Sequence, residues 1–573
     1  MESPTARQLG IGAVAVAAVA GLGLAVAGPL TPTDPTSRSA QPPASAPPSA
    51  SAAAAASATP SPSPTVTPPT VQPPKVRVAG DDVYAISAAA SQASFPGKAR
   101  APVVFLVSGE SQAQGYGALP AAAVQGGAVL LTRPDGIPTV IAAELDRLDP
   151  DRIVLVGGGT VLRATVERAA AAHAPAVERV DGSSSAATSV AMARYAFRTA
   201  TKAWVVSRDH AEHAVVAATA AAGSRSPLIV VDGTASWLPA AAADLLRDLA
   251  VTDVTVVGPT AAVSTGIAGD LEDLVGAEHV VRATGADRHA VAAEVNALAW
   301  PTLPTGVAYL ANGHTLGEAF AGASLAGLSQ RPLHYSLPYC VPASVRTALV
   351  GKSVSRVVLV GGERSVRRLA GRLEPCRSIS DPTSEWVLVN RRNPLSPIRF
   401  GPSDLKVPPM QHAGGHQMRA DAADALAEMA AAAASAGAGR VGIDTAYRSY
   451  AVQDALYDRW LAKRGRTWTD TWYARPGHSE HQTGLTVDLL PVGESNCSVN
   501  DCIDETPQGR WLARNSWRHG YLLRYEKGYR STVGLGFEPW HFRFVGRALA
   551  RAYHDGGWHT LEAFLDEPAA PNY

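Results

Sequence analysis

An excess of charge of either sign is missing from these 573 residues: 50 lysines and arginines stand against 50 aspartates and glutamates. A general nucleic-acid binder carries a basic surplus, so that class is excluded, although a local patch is not. Cysteine is scarce, with only Cys340, Cys376, Cys497 and Cys502. No further Cys or His pair flanks Cys497 and Cys502 at finger spacing, which argues against a structural zinc site there. Glycine turns occur in the middle of the chain, but no Gly-x-Gly-x-x-Gly and no Walker lysine follows them, so a phosphate loop is rejected. Ser479 stands in no Ser-x-x-Lys or Gly-x-Ser-x-Gly motif, which leaves a serine mechanism without support.

What is present points to metal chemistry. His481 and Asp488 lie in Ser479-Glu480-His481-Gln482-Thr483-Gly484-Leu485-Thr486-Val487-Asp488, and Glu538 and His541 in Phe537-Glu538-Pro539-Trp540-His541. Two imidazoles and a carboxylate make a three-ligand zinc set with a fourth position open for water. Glu538 would accept the proton of that water. Leu485–Leu490 reads as a strand with Asp488 on the face opposite Val487, and Pro539-Trp540 reads as a rigid bend. His-x6-Asp or Glu-x-x-His alone is commonplace, and the conjunction carries the reading. His478 is the rival ligand, set aside as an exposed neighbour in the Pro476-Gly477 turn.

The length suggests three to four domains. Residues 1–30 carry Arg7, then an apolar run from Leu9 to Ala27 and small residues at Ala25 and Ala27. This reads as a cleaved signal peptide, with an uncleaved membrane anchor as the alternative; either sends the protein out of the cytoplasm. Residues 31–75 are almost wholly Pro, Ser, Thr and Ala, a linker that cannot bury a core and spans on the order of 100 Å if extended. An even cysteine count in an exported chain favours two disulfides, Cys340–Cys376 and Cys497–Cys502, with free buried thiols as the alternative.

From Val76 to Cys376 three markers recur about every 102 residues. Arg77-Val78-Ala79-Gly80 returns as Arg179-Val180-Asp181-Gly182 and Arg282-Ala283-Thr284-Gly285. Ile153-Val154-Leu155-Val156-Gly157-Gly158 returns as Val254-Thr255-Val256-Val257-Gly258-Pro259 and Val357-Val358-Leu359-Val360-Gly361-Gly362. Pro138, Pro239 and Pro342 each open a helix-like segment. Continuous apolar runs such as Val103–Val107, Ala128–Leu131 and Ile153–Val156 predict parallel strands buried on both faces, alternating with helices such as Thr139–Leu148. The units 76–176, 177–278 and 279–376 are thus predicted to be α/β modules. They resemble the type 2 cell-wall-binding repeat of Gram-positive surface proteins. That resemblance implies a compact trimer-like arrangement that holds the protein to anionic wall polymers. Asp82-Val83-Tyr84 and Ser183-Ser184-Ser185 depart from the family's usual residues.

Beyond Cys376 aromatic residues and charge become denser, and residues 385–566 have room for one α+β domain. Residues 417–436 read as a long helix, Val441–Ala446 as a strand, and Tyr447-Arg448-Ser449-Tyr450 leads into a helix bearing Gln453, Leu456 and Tyr457. The domain resembles the VanY-type D-alanyl-D-alanine carboxypeptidases, zinc peptidases that trim peptidoglycan stems. The match runs through Leu388–Leu395, Tyr447–Tyr450 with Gln453, Ala474–Gly484 on to Asp488, Leu523-Arg524-Tyr525, and Glu538–Arg543. It implies His481, Asp488 and His541 as Zn²⁺ ligands, Glu538 as base, Arg448 stabilising the oxyanion, and Ser479 and Gln453 positioning substrate. Thr486 stands where the family usually has alanine.

The expectation is therefore a multidomain protein, three parallel-sheet α/β modules followed by an α+β zinc peptidase. It would be exported, held in the cell wall or at the cell surface, and would cleave the terminal D-Ala-D-Ala bond of stem peptides. The alternatives are an endopeptidase with the same metal site, acting on L-Ala-D-Glu or a cross-bridge, and a wall-binding protein with a vestigial peptidase domain.

Overall fold

A computed structural model describes residues 76–97, 99–302, 306–494, 497 and 501–573. The expected signal or anchor and the linker lie outside the described residues. Three four-stranded parallel sheets come first. Strands β1 (Val76–Val78), β2 (Val103–Ser108), β3 (Ala128–Thr132), β4 (Arg152–Val156) and β5 (Ala176–Val180) are followed by β6 (Lys202–Ser207), β7 (Leu228–Val231), β8 (Asp253–Val257) and β9 (Val280–Ala283). Then come β10 (Val307–Asn312), β11 (Leu333–Ser336) and β12 (Arg356–Val360). The orders are β3-β2-β4-β5, β7-β6-β8-β9 and β11-β10-β12-β1. The central strands are buried along almost their whole length, as their uninterrupted apolar runs require. Thr139–Leu148 is a helix with Pro138 as its N-cap, and Pro239 and Pro342 cap Ala240–Asp248 and Ala343–Gly351 in the same way.

The sheets are offset from the sequence period. Each entry strand closes the sheet of the preceding unit, while the helix after it packs on the next one. β5 completes the first sheet and β9 the second, and β1 pairs with β12 to complete the third. The units 76–176, 177–278 and 279–376 are therefore not the packing units, and the three modules close into a ring. The helices Ala118–Gln125, Ala211–Gly223 and Leu316–Leu328, buried over most of their length, meet at its centre.

The sequence markers are parts of one device. The entry arginine reaches across to the glycine turn of the neighbouring strand: Arg77 donates to Gly361 O at 2.8 Å, Arg179 to Gly157 O at 2.7 Å and Arg282 to Gly258 O at 3.0 Å. Gly157, Gly258 and Gly361 have φ of 106°, 109° and 111°, a conformation that favours glycine. Asp82, Ser184 and Asp287 cap the three entry helices through Ala85 N, Ala187 N and Ala290 N. Serine caps as aspartate does, so the departure from the repeat pattern at Ser184 keeps its physical role.

The C-terminal domain is α+β. β13 (Leu405–Lys406) and β14 (Met418–Arg419) form a small ribbon, so the helix expected from 417 begins only at Ala420 and runs to Ser435. The main sheet joins β15 (Arg440–Thr445), β16 (Thr486–Val492), β17 (Tyr521–Tyr525) and β18 (Glu538–Phe544) in the antiparallel order β15-β16-β18-β17. Residues after Asp566 return onto this domain, with Ala570 N on Thr532 O at 2.7 Å and Arg475 N on the Tyr573 hydroxyl at 2.7 Å. Cys340 bonds Cys376, and Cys497 bonds Cys502. Tyr339, Cys340 and Leu369 of the third module share one apolar cluster with Trp386, Leu549 and Phe564 of the C-terminal domain.

Candidate metal centre and substrate cleft

Asp488 lies on the inner strand β16, opposite His541 on β18 and Thr445 on β15. Val487 points the other way into the core, as strand alternation requires. His481 sits on the short turn Glu480–Thr483, which ends at Gly484 with φ of 69°. An added Cβ at Gly484 would meet Arg419, Leu405 and Pro402 at 3.0–3.1 Å, so both the backbone and the space ask for glycine. Pro539-Trp540 is not a bend between two elements. Both residues belong to β18, whose pairing with β17 shifts register between Leu523 and Tyr525. In a regular strand residues three apart face opposite sides. The irregularity removes that alternation and brings Glu538 Oε2 to 3.4 Å from His541 Nδ1.

The donor set converges. His481 Nε2 is 3.2 Å from Asp488 Oδ2, and His541 Nδ1 is 3.1 Å from Asp488 Oδ1. His481, Asp488 and His541 each offer a ligand atom within 4.8 Å of the others, and all three are buried. The far nitrogen of each ring is spoken for: His481 Nδ1 is 2.7 Å from Ala446 O and His541 Nε2 is 3.4 Å from Glu480 Oε2. If those nitrogens carry the protons, His481 Nε2 and His541 Nδ1 present lone pairs to the carboxylate. Asp488 Oδ1 is buried and has no hydrogen-bond partner despite its 3.1 Å approach to His541. Lone pairs facing one another at that distance repel unless a cation lies between them, so the residues fit a dication such as Zn²⁺. His478 is not in the set; its Nδ1 lies 2.8 Å from Asn390 O.

Charge around the donors follows from burial. Burial raises the Glu538 carboxyl to about 8, against the opposing pull of His541. Burial alone would lower the His541 pKa, but the Asp488 and Glu480 carboxylates push it up to about 9. A bound dication would drive both values down.

Arg448 follows β15, and its backbone N–H donates to His481 O at 3.2 Å. Its guanidinium donates to Gln453 Oε1 at 2.7 Å, and Gln453 Nε2 donates to Ala474 O at 2.6 Å. Gln453 is 1% exposed with both ends of its amide engaged. Gln453 lines the cleft and holds Arg448. Ser479, Arg448 and Glu538 line the same cleft of about 610 Å³ as the donor set, with walls that include Trp468, Trp472, Tyr473, Tyr525 and Trp540.

A buried charged network beneath the donors was not apparent from the sequence. Glu480 is fully buried beneath His541, accepting from Arg524 Nε at 2.9 Å and Arg543 Nη1 at 3.1 Å. Burial alone would raise its pKa; the two guanidinium groups hold the carboxyl well below the usual range. Arg524 in turn grips Glu562 at 2.8 and 3.0 Å, and Asn390 donates to the same carboxylate at 3.0 Å. Arg543 shares the strand of His541 two residues on, which was the available signal. Glu562 has none, because only folding brings it near.

Two family models match the chain: VanY, D-alanyl-D-alanine carboxypeptidase, over residues 415–547, and cell wall binding domain 2 (CWB2) over residues 77–167. YodJ of Bacillus subtilis, provisionally named a carboxypeptidase, is 30% identical over 201 residues, which are 34% of this chain and 72% of that protein. A D-alanyl-D-alanine carboxypeptidase of Enterococcus faecalis is 31% identical over 194 residues, 32% of this chain and 66% of its own length. Among solved structures, a mutant VanY D,D-pentapeptidase from a VanB-type resistance cassette, in complex with Zn(II), is 29% identical. The match covers 31% of this chain and 97% of that one, with a TM-score of 0.27. The chain thus spans just under two-thirds of the enterococcal relative.

Proposed function

The chain belongs to the VanY family of D-alanyl-D-alanine carboxypeptidases through its C-terminal domain, and from that premise we propose an exported zinc-dependent enzyme that removes the terminal D-alanine from peptidoglycan stem peptides. The three modules would hold it to anionic polymers of the cell wall. The observation that carries the metal reading is the unpartnered Asp488 Oδ1, facing His541 Nδ1 at 3.1 Å with His481 Nε2 beside the other oxygen.

Zn²⁺ held by His481, Asp488 and His541 would supply Lewis acidity at the scissile carbonyl and its attacking water. Glu538, on the same side of β18 as His541, takes the proton of the attacking water and passes it to the leaving amine nitrogen. Arg448 faces the negative charge that develops on the carbonyl oxygen, and Gln453 keeps the guanidinium aimed without a cost of reorganisation. The aromatic walls exclude bulk water and strengthen both effects.

The test uses the full chain. Incubated with Zn²⁺ and a stem pentapeptide, it should release one equivalent of free D-alanine and leave the tetrapeptide, read by mass spectrometry. Cleavage at an internal bond would assign an endopeptidase instead. No cleavage, with zinc uptake the same in the wild type and in His541→Ala, would mark the domain as vestigial.

A further inference from the structure

The middle module carries a second group of metal-capable side chains, His210, Glu212 and His213. They stand where β6 ends at Ser207 and the chain turns into the helix Ala211–Gly223. Counting from the strand ends Ser108, Ser207 and Asn312, His210 corresponds to Ser111 and Thr315, and His213 to Gln114 and Glu318. The fold therefore does not demand histidine at either place.

The equivalent of His213 in the first module has a structural task. Gln114 Oε1 accepts from Gly158 N at 3.1 Å, tying the helix start to the glycine turn. In the middle module the residue equivalent to Gly158 is Pro259, which has no N–H to give. His213 is 5% exposed, and its Nδ1, near the Gly258 turn, has no partner. Its Nε2 lies 4.0 Å from Glu212 Oε1, beyond hydrogen-bond reach. Nδ1 is thus the buried nitrogen without a partner, and Nε2, on the Glu212 side, is the nitrogen left free to hold a ligand.

The neighbours supply the rest of a donor set. Glu212 Oε1 is 3.3 Å from His210 Nδ1, and the two imidazoles stack with centroids 5.0 Å apart. Ligand atoms about 2.0–2.1 Å from a tetrahedral ion stand roughly 3.4 Å apart. The 3.3 and 4.0 Å separations approach that spacing, with a modest turn of the rings still required. His210 and Glu212 are part-exposed, so a cation can enter from solvent and keep water at its open position.

We propose that His210, Glu212 and His213 form a second site for a borderline divalent cation, of which Zn²⁺ is the probe. It repeats the two-imidazole, one-carboxylate chemistry of the cleft on a different module. Arg288, whose guanidinium donates to Gly313 O at 3.0 Å, lies close enough for its charge to act on Glu212. That cation weakens the site, so it fills after the cleft does.

Zinc titration of the chelator-stripped full chain, followed by competition with a chromophoric chelator, counts the ions. The wild type should take up one more Zn²⁺ per chain than His210→Gln or His213→Ala, with peptide hydrolysis unchanged in both. Arg288→Gln should tighten the later event. His210→Gln changes a part-exposed side chain, so it reports even if the buried His213→Ala does not fold. Equal zinc uptake by wild type and His210→Gln overturns the proposal. The comparison is a difference of one ion, so it holds whatever the cleft itself binds.

Discussion

Glu538 is where local energetics decide chemistry. Burial pushes its carboxyl up to about 8, and a dication at the neighbouring donors would return it to the range where it accepts and releases a proton near neutrality. Glu538→Gln keeps the shape and the three donors but cannot carry the proton. Its zinc content should match the wild type while kcat falls by about two orders of magnitude or more. Near wild-type turnover would remove the residue from the mechanism. A different histidine sets an acid limit on stability. His334 on β11 is 3% exposed, and burial lowers it to about 4. Between its unfolded value near 6.5 and 4, only the unfolded chain takes the proton, so stability is full above pH 6.5 and falls as pH drops. The loss should approach roughly 3 kcal/mol. Denaturation midpoints at pH 7 and pH 4.5 should therefore separate in the wild type and draw together in His334→Asn.

At the level of elements, the repeat motifs are turn and cap chemistry. Gly80, Gly182 and Gly285 each face the start of the entry helix, where an added Cβ would fall 2.5–2.7 Å from the Cβ of Ala85, Ala187 or Ala290. That contact is backed by backbone and cannot swing away. Gly182→Ala should cost about 1–3 kcal/mol in urea unfolding. Ser184→Ala, which removes only a cap at 3.2 Å, should cost about 1 kcal/mol. The reverse order would mean that capping, and not close approach, explains the recurrent glycine. The strands were legible because buried parallel strands demand continuous apolar runs. The β18 irregularity was not legible, because a register shift belongs to a pair of strands and leaves no mark on one of them.

For the whole molecule, the question is how firmly the catalytic domain is held on the modules. Arg367 of the third module lies 4.0 Å above the Trp558 ring and donates to Phe564 O, and Arg368 pairs with Asp555. With the shared apolar cluster, these contacts make the third module and the C-terminal domain one packed body. Arg367→Ala should weaken the coupling by roughly 2 kcal/mol. In calorimetry the wild type should give one overlapping transition, and in Arg367→Ala the domain should unfold ahead of the modules. An unchanged trace would assign the docking to the apolar cluster alone.

The residues themselves determined the repeat period, the parallel α/β character of the modules and the candidate donors His481, Asp488, His541 and Glu538. Those properties are local: apolar runs, glycine turns and short spacings of ligating side chains. Tertiary structure decided what depends on residues far apart in the chain. It paired β1 with β12 to close the ring, 284 residues from Arg77 to Gly361. It set Glu480, Arg524 and Glu562 beneath His541. It also set Gln453 against the Arg448 guanidinium. A buried carboxylate or amide is intelligible only once its partners are beside it, because the cost of its burial is offset by groups that the linear chain keeps apart.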